Sequence, residues 1–233
     1  MRDIVIGDVH GCCSALDALL EKVKLDAGTD RLILLGDLFD RGSESFEVFQ
    51  RVQALEREMG DRFVLLRGNH EDYLLGEQSF FGRLAWMRVG RGSSVRSFKK
   101  NGAVYDESAS WIRQHCRPYY MGEGFCCVHA GLKIYPPELN DSYTLFHDHE
   151  LVPLNRYAGP LVLTGHIGLE KPSWFAGDKK TVKTLQQGAE QPLPERGALC
   201  IDTGCGKGGR LSALVIENKR FTLFSVSQDG AKG

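Results

Sequence analysis

Three stretches of this sequence share one arrangement: an apolar run, a glycine, and then acidic, amide or imidazole side chains. The apolar runs cover residues 4–6, 32–35 and 63–66. Carboxylates and imidazoles are the groups that bind divalent metals and transfer protons in proteins. The polar side chains that follow these runs are Asp8, His10, Asp37, Asp40, Arg41, Asn69 and His70.

The apolar runs are typical of buried β-strands, and the glycines allow the tight turns that end them. Parallel strands would bring their carboxyl ends to one edge of a sheet, where active sites of α/β proteins are commonly built. Carboxylate and imidazole ligands together favour Mn²⁺, Fe or Zn²⁺. A single such group has a simpler explanation, because residues 69–71 could merely cap a helix. Three groups in succession indicate a metal site.

Two later histidines extend this pattern. His129 follows the apolar run at residues 125–128, and His166 follows the run at residues 161–164. A lone histidine after a strand is usually structural. Here two of them arrive in a chain whose metal site is still incomplete, and we therefore expect both to bind metal.

The elements that position these side chains alternate along the first part of the chain. Apolar spacing predicts helices at residues 14–24 and 45–59, between strands at 4–6, 32–35 and 62–66. This β-α-β-α-β order is typical of parallel strands joined by right-handed crossovers. We expect the strands to form the ligand-bearing edge of an α/β fold.

The second half of the chain predicts a different organisation. Residues 211–216 and 220–226 have the pattern of an antiparallel hairpin, and residues 168–196 that of a loop with hairpin character. A helix continuing over residues 73–77 would open a helical cap, inserted at about residues 72–124. We expect two mixed sheets in one domain spanning residues 1–233.

Composition excludes several functional classes. The chain has 233 residues, 42% of them apolar and 25% charged, with a net charge of −1, which is ordinary for a globular protein and gives no electrostatic case for nucleic acid or membrane binding. No apolar stretch approaches the roughly 20 residues of a membrane helix, and an early strand leaves no room for a signal peptide. Seven cysteines without a Cys-x-x-Cys argue against a disulfide framework and indicate a reducing, cytoplasmic location.

The three motifs together resemble those of a known family. Gly-Asp-Val-His-Gly at residues 7–11, Gly-Asp-Leu-Phe-Asp-Arg-Gly at 36–42 and Arg-Gly-Asn-His-Glu at 67–71 are similar to the signature motifs of the phosphoprotein phosphatase family of metallophosphoesterases. This family includes Ser/Thr protein phosphatases, the bacteriophage lambda phosphatase and the symmetrical diadenosine tetraphosphate hydrolases. The resemblance implies an α/β sandwich of two mixed β-sheets flanked by helices.

The resemblance also implies a site with two divalent metal ions, with Mn²⁺ expected and Fe or Zn²⁺ as alternatives. His70 would protonate the leaving oxygen, oriented by Asp40, while Arg41 would bind a phosphate oxygen and Arg67 would assist or stabilise the strand end. The first ion would be held by Asp8, His10 and Asp37, and the second by Asp37, Asn69, His129 and His166.

One region departs from the family pattern. Protein phosphatases carry an arginine between the last two metal histidines, and residues 144–150 of this chain contain none. Residues 83–100 contain six basic residues and no acidic one, which is typical either of a solvated helical face or of a cap that attracts an anionic substrate. We expect Arg88, Arg91 or Arg96 to supply the second phosphate contact.

Three functions remain open at this stage. The preferred interpretation is a lambda-type phosphatase acting on phosphorylated protein or peptide, or on a small phosphate ester. The alternative is symmetrical hydrolysis of diadenosine tetraphosphate, which the missing arginine and the Asp-Thr-Gly-Cys-Gly sequence at residues 202–206 favour. A non-catalytic phosphate-binding module is the third, which the complete set of ligands and His70 disfavours.

Overall fold

The protein is built from two β-sheets with helices on their outer sides. The computed structural model describes residues 1–76, 84, 86–88 and 90–230. The helices are α1 (Cys13–Val23), α2 (Ser45–Met59), α3 (Asn69–Leu74), α4 (Arg91–Lys100), α5 (Ser108–His115) and α6 (Ser142–His147). The strands are β1 (Asp3–Ile6), β2 (Arg31–Leu34), β3 (Phe63–Leu66), β4 (Cys116–Arg117), β5 (Tyr120–Gly122), β6 (Phe125–Cys127), β7 (Val162–Thr164), β8 (Ser173–Phe175), β9 (Val182–Thr184), β10 (Glu190–Pro192), β11 (Ala198–Cys200), β12 (Arg210–Glu217) and β13 (Arg220–Ser227).

Both sheets mix parallel and antiparallel pairs. The seven-stranded sheet has the order β10-β13-β12-β1-β2-β3-β4, and the six-stranded sheet has the order β5-β6-β7-β11-β8-β9. The neighbours β1, β2 and β3 are parallel, and so are β6 and β7. The carboxyl ends of the strands that precede the motif residues are therefore aligned within each sheet.

Three layers of apolar side chains hold the sheets and helices together. Because neighbouring strand residues point to opposite faces, Val5 packs between the two sheets whereas Ile4 and Ile6 pack under the helices. Val128 and Phe146 belong to a third cluster on the outer face of the six-stranded sheet. This layering is the predicted sandwich of two mixed sheets flanked by helices, and the expected fold class is confirmed.

The predicted cap is closely packed against the rest of the protein. Phe98 of α4 and Ile112 of α5 lie in the same apolar cluster as the buried side chains of α2. Tyr105, which precedes α5, belongs to this cluster too. The chain re-enters the seven-stranded sheet at Cys116, so that β4 and β5 lie within the 72–124 range assigned to the cap. Helix α3 ends at Leu74 and a turn follows at residues 75–76, so the expected helix over residues 73–77 is wrong beyond Leu74. Residue 77 lies outside the described residues.

Two further expectations can be compared with the structure. Residues 168–196, predicted as a loop with hairpin character, contain the short strands β8, β9 and β10, of which β8 and β9 pair antiparallel. All seven cysteines are free thiols in this structure. Among the described helices, none has the length and apolar character needed to cross a membrane.

Candidate metal centre

Asp37 lies at the centre of the convergent side chains. Its Oδ2 is 3.5 Å from Nε2 of His10 and 3.9 Å from Nε2 of His70, and its Oδ1 is 3.5 Å from Nε2 of His129. We call His10, Asp37 and His70 the first cluster, and Asp37, His129 and His166 the second cluster; the ligand atoms of each lie within 4.8 Å of one another. The two oxygens of one carboxylate thus face two separate groups of donors.

The second cluster includes the amide of Asn69. Its Oδ1 lies 3.1 Å from Nε2 of His129 and 2.9 Å from Nδ1 of His166, and those two nitrogens are 3.2 Å apart. His129 donates its Nδ1–H to the carbonyl of Leu35 at 2.8 Å. That hydrogen bond leaves the Nε2 lone pair directed at the cluster, an arrangement typical of metal-binding histidines.

The first cluster shows the same orientation of its histidine. His10 donates Nδ1–H to the carbonyl of Phe39 at 2.9 Å, so that its Nε2 faces Asp37. Backbone strain marks the same positions, because His10, Asp37 and His166 have φ angles of 46°, 50° and 66°. Positive φ is uncommon for residues other than glycine, and such backbone strain is concentrated at functional sites.

The protonation states suit metal binding. Burial lowers the pKa of His10 and of His129, and lowers that of His166 to about 2. Burial would raise the pKa of Asp37, but the neighbouring histidines, His129 foremost, hold it well below its usual range. Neutral imidazoles and an ionised carboxylate are the forms that bind divalent cations. Nε2 of His166 is buried and finds no hydrogen-bond partner among the described residues, so its Nδ1 is the ring nitrogen that faces the other donors of the second cluster.

Asp8 lies beside the clusters under considerable electrostatic strain. Its carboxylate accepts the backbone N–H of His166 at 3.0 Å, and a Cβ at position 165 would overlap it, so that only glycine fits there. Burial, followed by the charges of Asp202 and Asp37, raises the pKa of Asp8 well above its ordinary value. A bound cation would offset this crowding of buried carboxylates. The donor set therefore fits the divalent ions expected from the sequence.

Glu71 holds the ligand-bearing loops together. Its buried carboxylate accepts the backbone N–H groups of Asp37 at 2.7 Å, Leu38 at 2.8 Å and Gly68 at 3.0 Å. Since Gly68 caps α3, residues 69–71 both begin a helix and supply the site. The stretch therefore does begin a helix, and its functional interpretation stays a prediction.

We predict that Glu71→Ala lowers the free energy of unfolding of the metal-free protein by at least about 3 kcal/mol, because three buried N–H groups lose their acceptor. Urea denaturation measures this value. Glu58→Ala on exposed α2 surface is the control and should change it by less than about 0.5 kcal/mol. A similar small effect of Glu71→Ala would contradict the assigned role.

His70 and Asp40 form a buried pair. Nδ1 of His70 lies 2.7 Å from Oδ2 of Asp40, and its Nε2 faces the carboxylate of Asp37. Burial opposes protonation of His70, but Asp37 and the hydrogen bond to Asp40 outweigh it and raise the pKa of His70 above its ordinary value. The Arg41 guanidinium contacts Nε2 of His10 and lies 3.4 Å from Nε2 of His70.

The other arginines predicted to bind substrate have different surroundings. Arg67 forms an ion pair with Asp72 and lies over the ring of Phe146 at 5.3 Å. Arg91 binds Asp106 at 2.8 Å, and the side chains of Arg88 and Arg96 are exposed. A phosphate contact from Arg67 or from the cap arginines stays a prediction.

The divergent segment without an arginine borders the second cluster. The His149 ring stacks on that of His166, with centroids 4.3 Å apart, and Nε2 of His147 lies 2.8 Å from Oδ2 of Asp72. Sequence reasoning also overlooked Trp86 and Ser94, whose side chains contact Asp40. No motif marks those two residues.

The arrangement of the sheets and side chains agrees with a comparison against known families. A family model described as calcineurin-like phosphoesterase matches residues 1–189. The chain belongs to this family. Calcineurin-like phosphoesterases are metal-dependent hydrolases of phosphoric esters that use divalent ions in a binuclear site, and the two clusters fit such a site. The family expected from the three motifs is thereby confirmed.

The individual proteins to which this chain is similar have different named activities. A symmetrical bis(5'-nucleosyl)-tetraphosphatase from Pseudomonas putida is 30% identical over 179 residues, which is 75% of this chain and 57% of the relative. The chain thus spans little more than half of that enzyme. A metallophosphoesterase structure from Sphaerobacter thermophilus has a TM-score of 0.62 at 19% identity, covering 97% of this chain and 88% of its own.

A protein serine/threonine phosphatase from Saccharomyces cerevisiae has a TM-score of 0.60 at 14% identity, covering 98% of this chain and 83% of its own. At such low identities, both structural comparisons support the fold and say nothing about the substrate.

Proposed function

We propose that this protein is a metal-dependent hydrolase that splits dinucleoside tetraphosphates symmetrically. Water would add to one inner phosphorus, and the bond from that phosphorus to the central bridging oxygen would break. The bridging oxygen would leave as part of the second nucleoside diphosphate, so that two nucleoside diphosphates would form. The sequence relatives named as symmetrical tetraphosphatases support this substrate. They favour it over the phosphoprotein substrate that the sequence alone led us to prefer, for which the structural neighbours offer only a shared fold.

The position of residues 202–206 is the structural observation that supports the same choice of substrate. This segment resembles the tail of the symmetrical hydrolases, and it lies against the first cluster. A Cβ built at Gly206 would lie 2.8 Å from Cβ of His10 and 3.1 Å from Cβ of Arg41. Any side chain there would displace a proposed ligand or the proposed phosphate-binding arginine.

A cavity next to Arg41 offers room for more than a phosphate monoester. Its volume is about 480 Å³, and its lining includes Arg41, Gly206 and Ser43. Ligand sites of this kind typically have volumes of roughly 300–1,000 Å³. The cavity is therefore large enough for part of a nucleotide beside the proposed metal site.

The side chains of the clusters have distinct proposed roles. Asp8, His10 and Asp37 would hold one divalent ion, and Asp37, Asn69, His129 and His166 the other. Bound ions would acidify a water and offset charge on the phosphoryl oxygens.

Two further residues would act on the phosphoryl group. His70, with its Nδ1–H directed at Asp40, would donate a proton from Nε2 to the leaving oxygen. Arg41 would bind phosphoryl oxygens through its planar guanidinium.

For Arg41→Ala we expect catalytic efficiency to fall about 10–150-fold, because a charge-assisted hydrogen bond contributes roughly 1.5–3 kcal/mol. Steady-state kinetics with diadenosine tetraphosphate measures the loss. Arg57→Ala, an exposed arginine of α2, serves as the control. A change below threefold for Arg41→Ala would remove this residue from the proposed phosphate contact.

The test of the proposed function compares three substrates in one series with Mn²⁺: diadenosine tetraphosphate, a phosphoserine peptide and p-nitrophenyl phosphate. We expect the highest kcat/KM for the tetraphosphate, with ADP as the only nucleotide product. ATP and AMP as products would contradict symmetrical cleavage. A higher kcat/KM for the phosphopeptide would favour the protein phosphatase instead.

A further inference from the structure

The carboxylate of Asp40 receives two hydrogen bonds from the cap in addition to the one from His70. We propose that Trp86 and Ser94 are positioning residues, which fix Asp40 so that it holds His70 in the orientation required for proton donation. This inference rests on the proposed phosphoester hydrolysis. It gives the cap segment a part in catalysis other than direct contact between its basic side chains and phosphate.

The contacts are short and buried. Oδ2 of Asp40 accepts Nε1–H of Trp86 at 2.6 Å, besides Nδ1–H of His70 at 2.7 Å. Oδ1 of Asp40 accepts the hydroxyl of Ser94 at 2.7 Å. The Ser94 oxygen in turn accepts the backbone N–H of Asp40 at 2.8 Å, and Ser45 donates to it at 3.0 Å. Both oxygens of the Asp40 carboxylate and the Ser94 hydroxyl are therefore hydrogen-bonded.

The two cap donors constrain the carboxylate in a way that His70 alone cannot. With one donor, the Asp40 carboxylate could rotate about the bond to its Cβ while keeping that hydrogen bond. Donors on both oxygens fix its plane. Because Oδ2 is shared between Trp86 and His70, the plane sets the direction of the His70 ring and thus of Nε2.

The backbone of the cap also lies close to Asp40 and Arg41. Gly90 has a φ of 132°, and a Cβ there would lie 2.6 Å from the backbone nitrogen of Arg41 and 3.2 Å from Cβ of Asp40. Arg91 lies over the Trp86 ring at 4.9 Å and binds Asp106. In this structure a basic cap residue thus secures the tryptophan that contacts Asp40.

The test uses two leaving groups of different quality, phenyl phosphate and p-nitrophenyl phosphate. Trp86→Phe keeps an aromatic ring but removes the N–H. We expect its kcat for phenyl phosphate to fall about tenfold, a part of the roughly 10²–10⁴-fold that general acid catalysis provides. For p-nitrophenyl phosphate, whose leaving group needs less protonation, we expect a change below twofold. KM and metal content should stay unchanged.

Helix α4 supplies a matched pair of serines for the second variant. Ser94 and Ser97 are both buried, but the Ser97 hydroxyl donates to Glu47 at 3.2 Å and accepts the backbone N–H of Phe46 at 3.0 Å. Ser94→Ala should reproduce the selective loss of Trp86→Phe. Ser97→Ala removes a comparable buried hydroxyl and should leave the ratio of the two kcat values unchanged.

A second readout does not require activity. In wild type we expect a strongly downfield proton NMR signal from Nδ1–H of His70, which moves in Trp86→Phe and Ser94→Ala but not in Ser97→Ala. An unmoved signal, or equal losses on both substrates, would overturn the positioning role. If the wild type hydrolyses no phosphoester, the proposed function fails, and the NMR comparison still decides whether the two cap residues orient His70.

Discussion

Asp37→Asn is expected to lose activity and bound metal together. The amide of the substituted side chain would still offer an oxygen to the backbone N–H of His70, which Asp37 Oδ1 accepts at 2.9 Å, so the loop should be preserved. The substitution removes the negative charge that both clusters share. Because even outer partners of metal ligands contribute about 10–100-fold, we expect metal affinity to fall by more than about 100-fold.

Calorimetric titration with Mn²⁺ and elemental analysis of the dialysed protein measure this loss. Asp61→Asn, an exposed carboxylate, is the control for net charge and should retain the wild-type metal content. A variant that lacks Asp37 but retains two ions and near-normal turnover would exclude the bridging role.

His70→Asn is expected to lower kcat for phenyl phosphate by roughly 10²–10⁴-fold, the usual contribution of a general acid. The substituted side chain lacks the Nε2 donor, which faces Asp37 in the wild type. The loss should be much smaller for p-nitrophenyl phosphate, because its leaving group is stable as an anion. Metal content should remain that of the wild type, since Asp8, His10 and Asp37 are retained.

Two results would contradict this role of His70. Equal losses on both substrates would mean that His70 acts on a step other than leaving-group departure. Loss of one metal ion would mean that it is a ligand, which its place in the first cluster makes geometrically possible.

The proposed ligands were predictable from sequence because each motif combines three local signals. An apolar run, a turn glycine and polar groups of metal-binding type occur within a few residues, and parallel pairing then brings the motifs together. Helix α2 was predicted with its observed bounds, since its apolar face is regular from Ser45 to Met59. Local pattern and overall fold agree in this part of the chain.

Other features left no local signal. Strand β9 is fully exposed on both faces, so it lacks the alternation that reveals a half-buried strand. Arg91 was predicted as a phosphate contact because it lies in a basic stretch of sequence. Its ion-pair partner Asp106 lies 15 residues further along the chain, outside that stretch. The contacts of Trp86 and Ser94 with Asp40 span about 50 residues, and no spacing rule connects them. The substrate was also undetermined, because the motifs encode the chemistry at phosphorus and not the group attached to it.

Anomalous diffraction from crystals soaked in Mn²⁺ tests the central claim, a binuclear centre bridged by one carboxylate, most directly. We predict two peaks about 3.5–4 Å apart, the usual spacing of paired catalytic ions. One should lie between Asp37 and His10, and the other between Asp37 and His129. A single peak, or two peaks that do not share Asp37, would contradict the account.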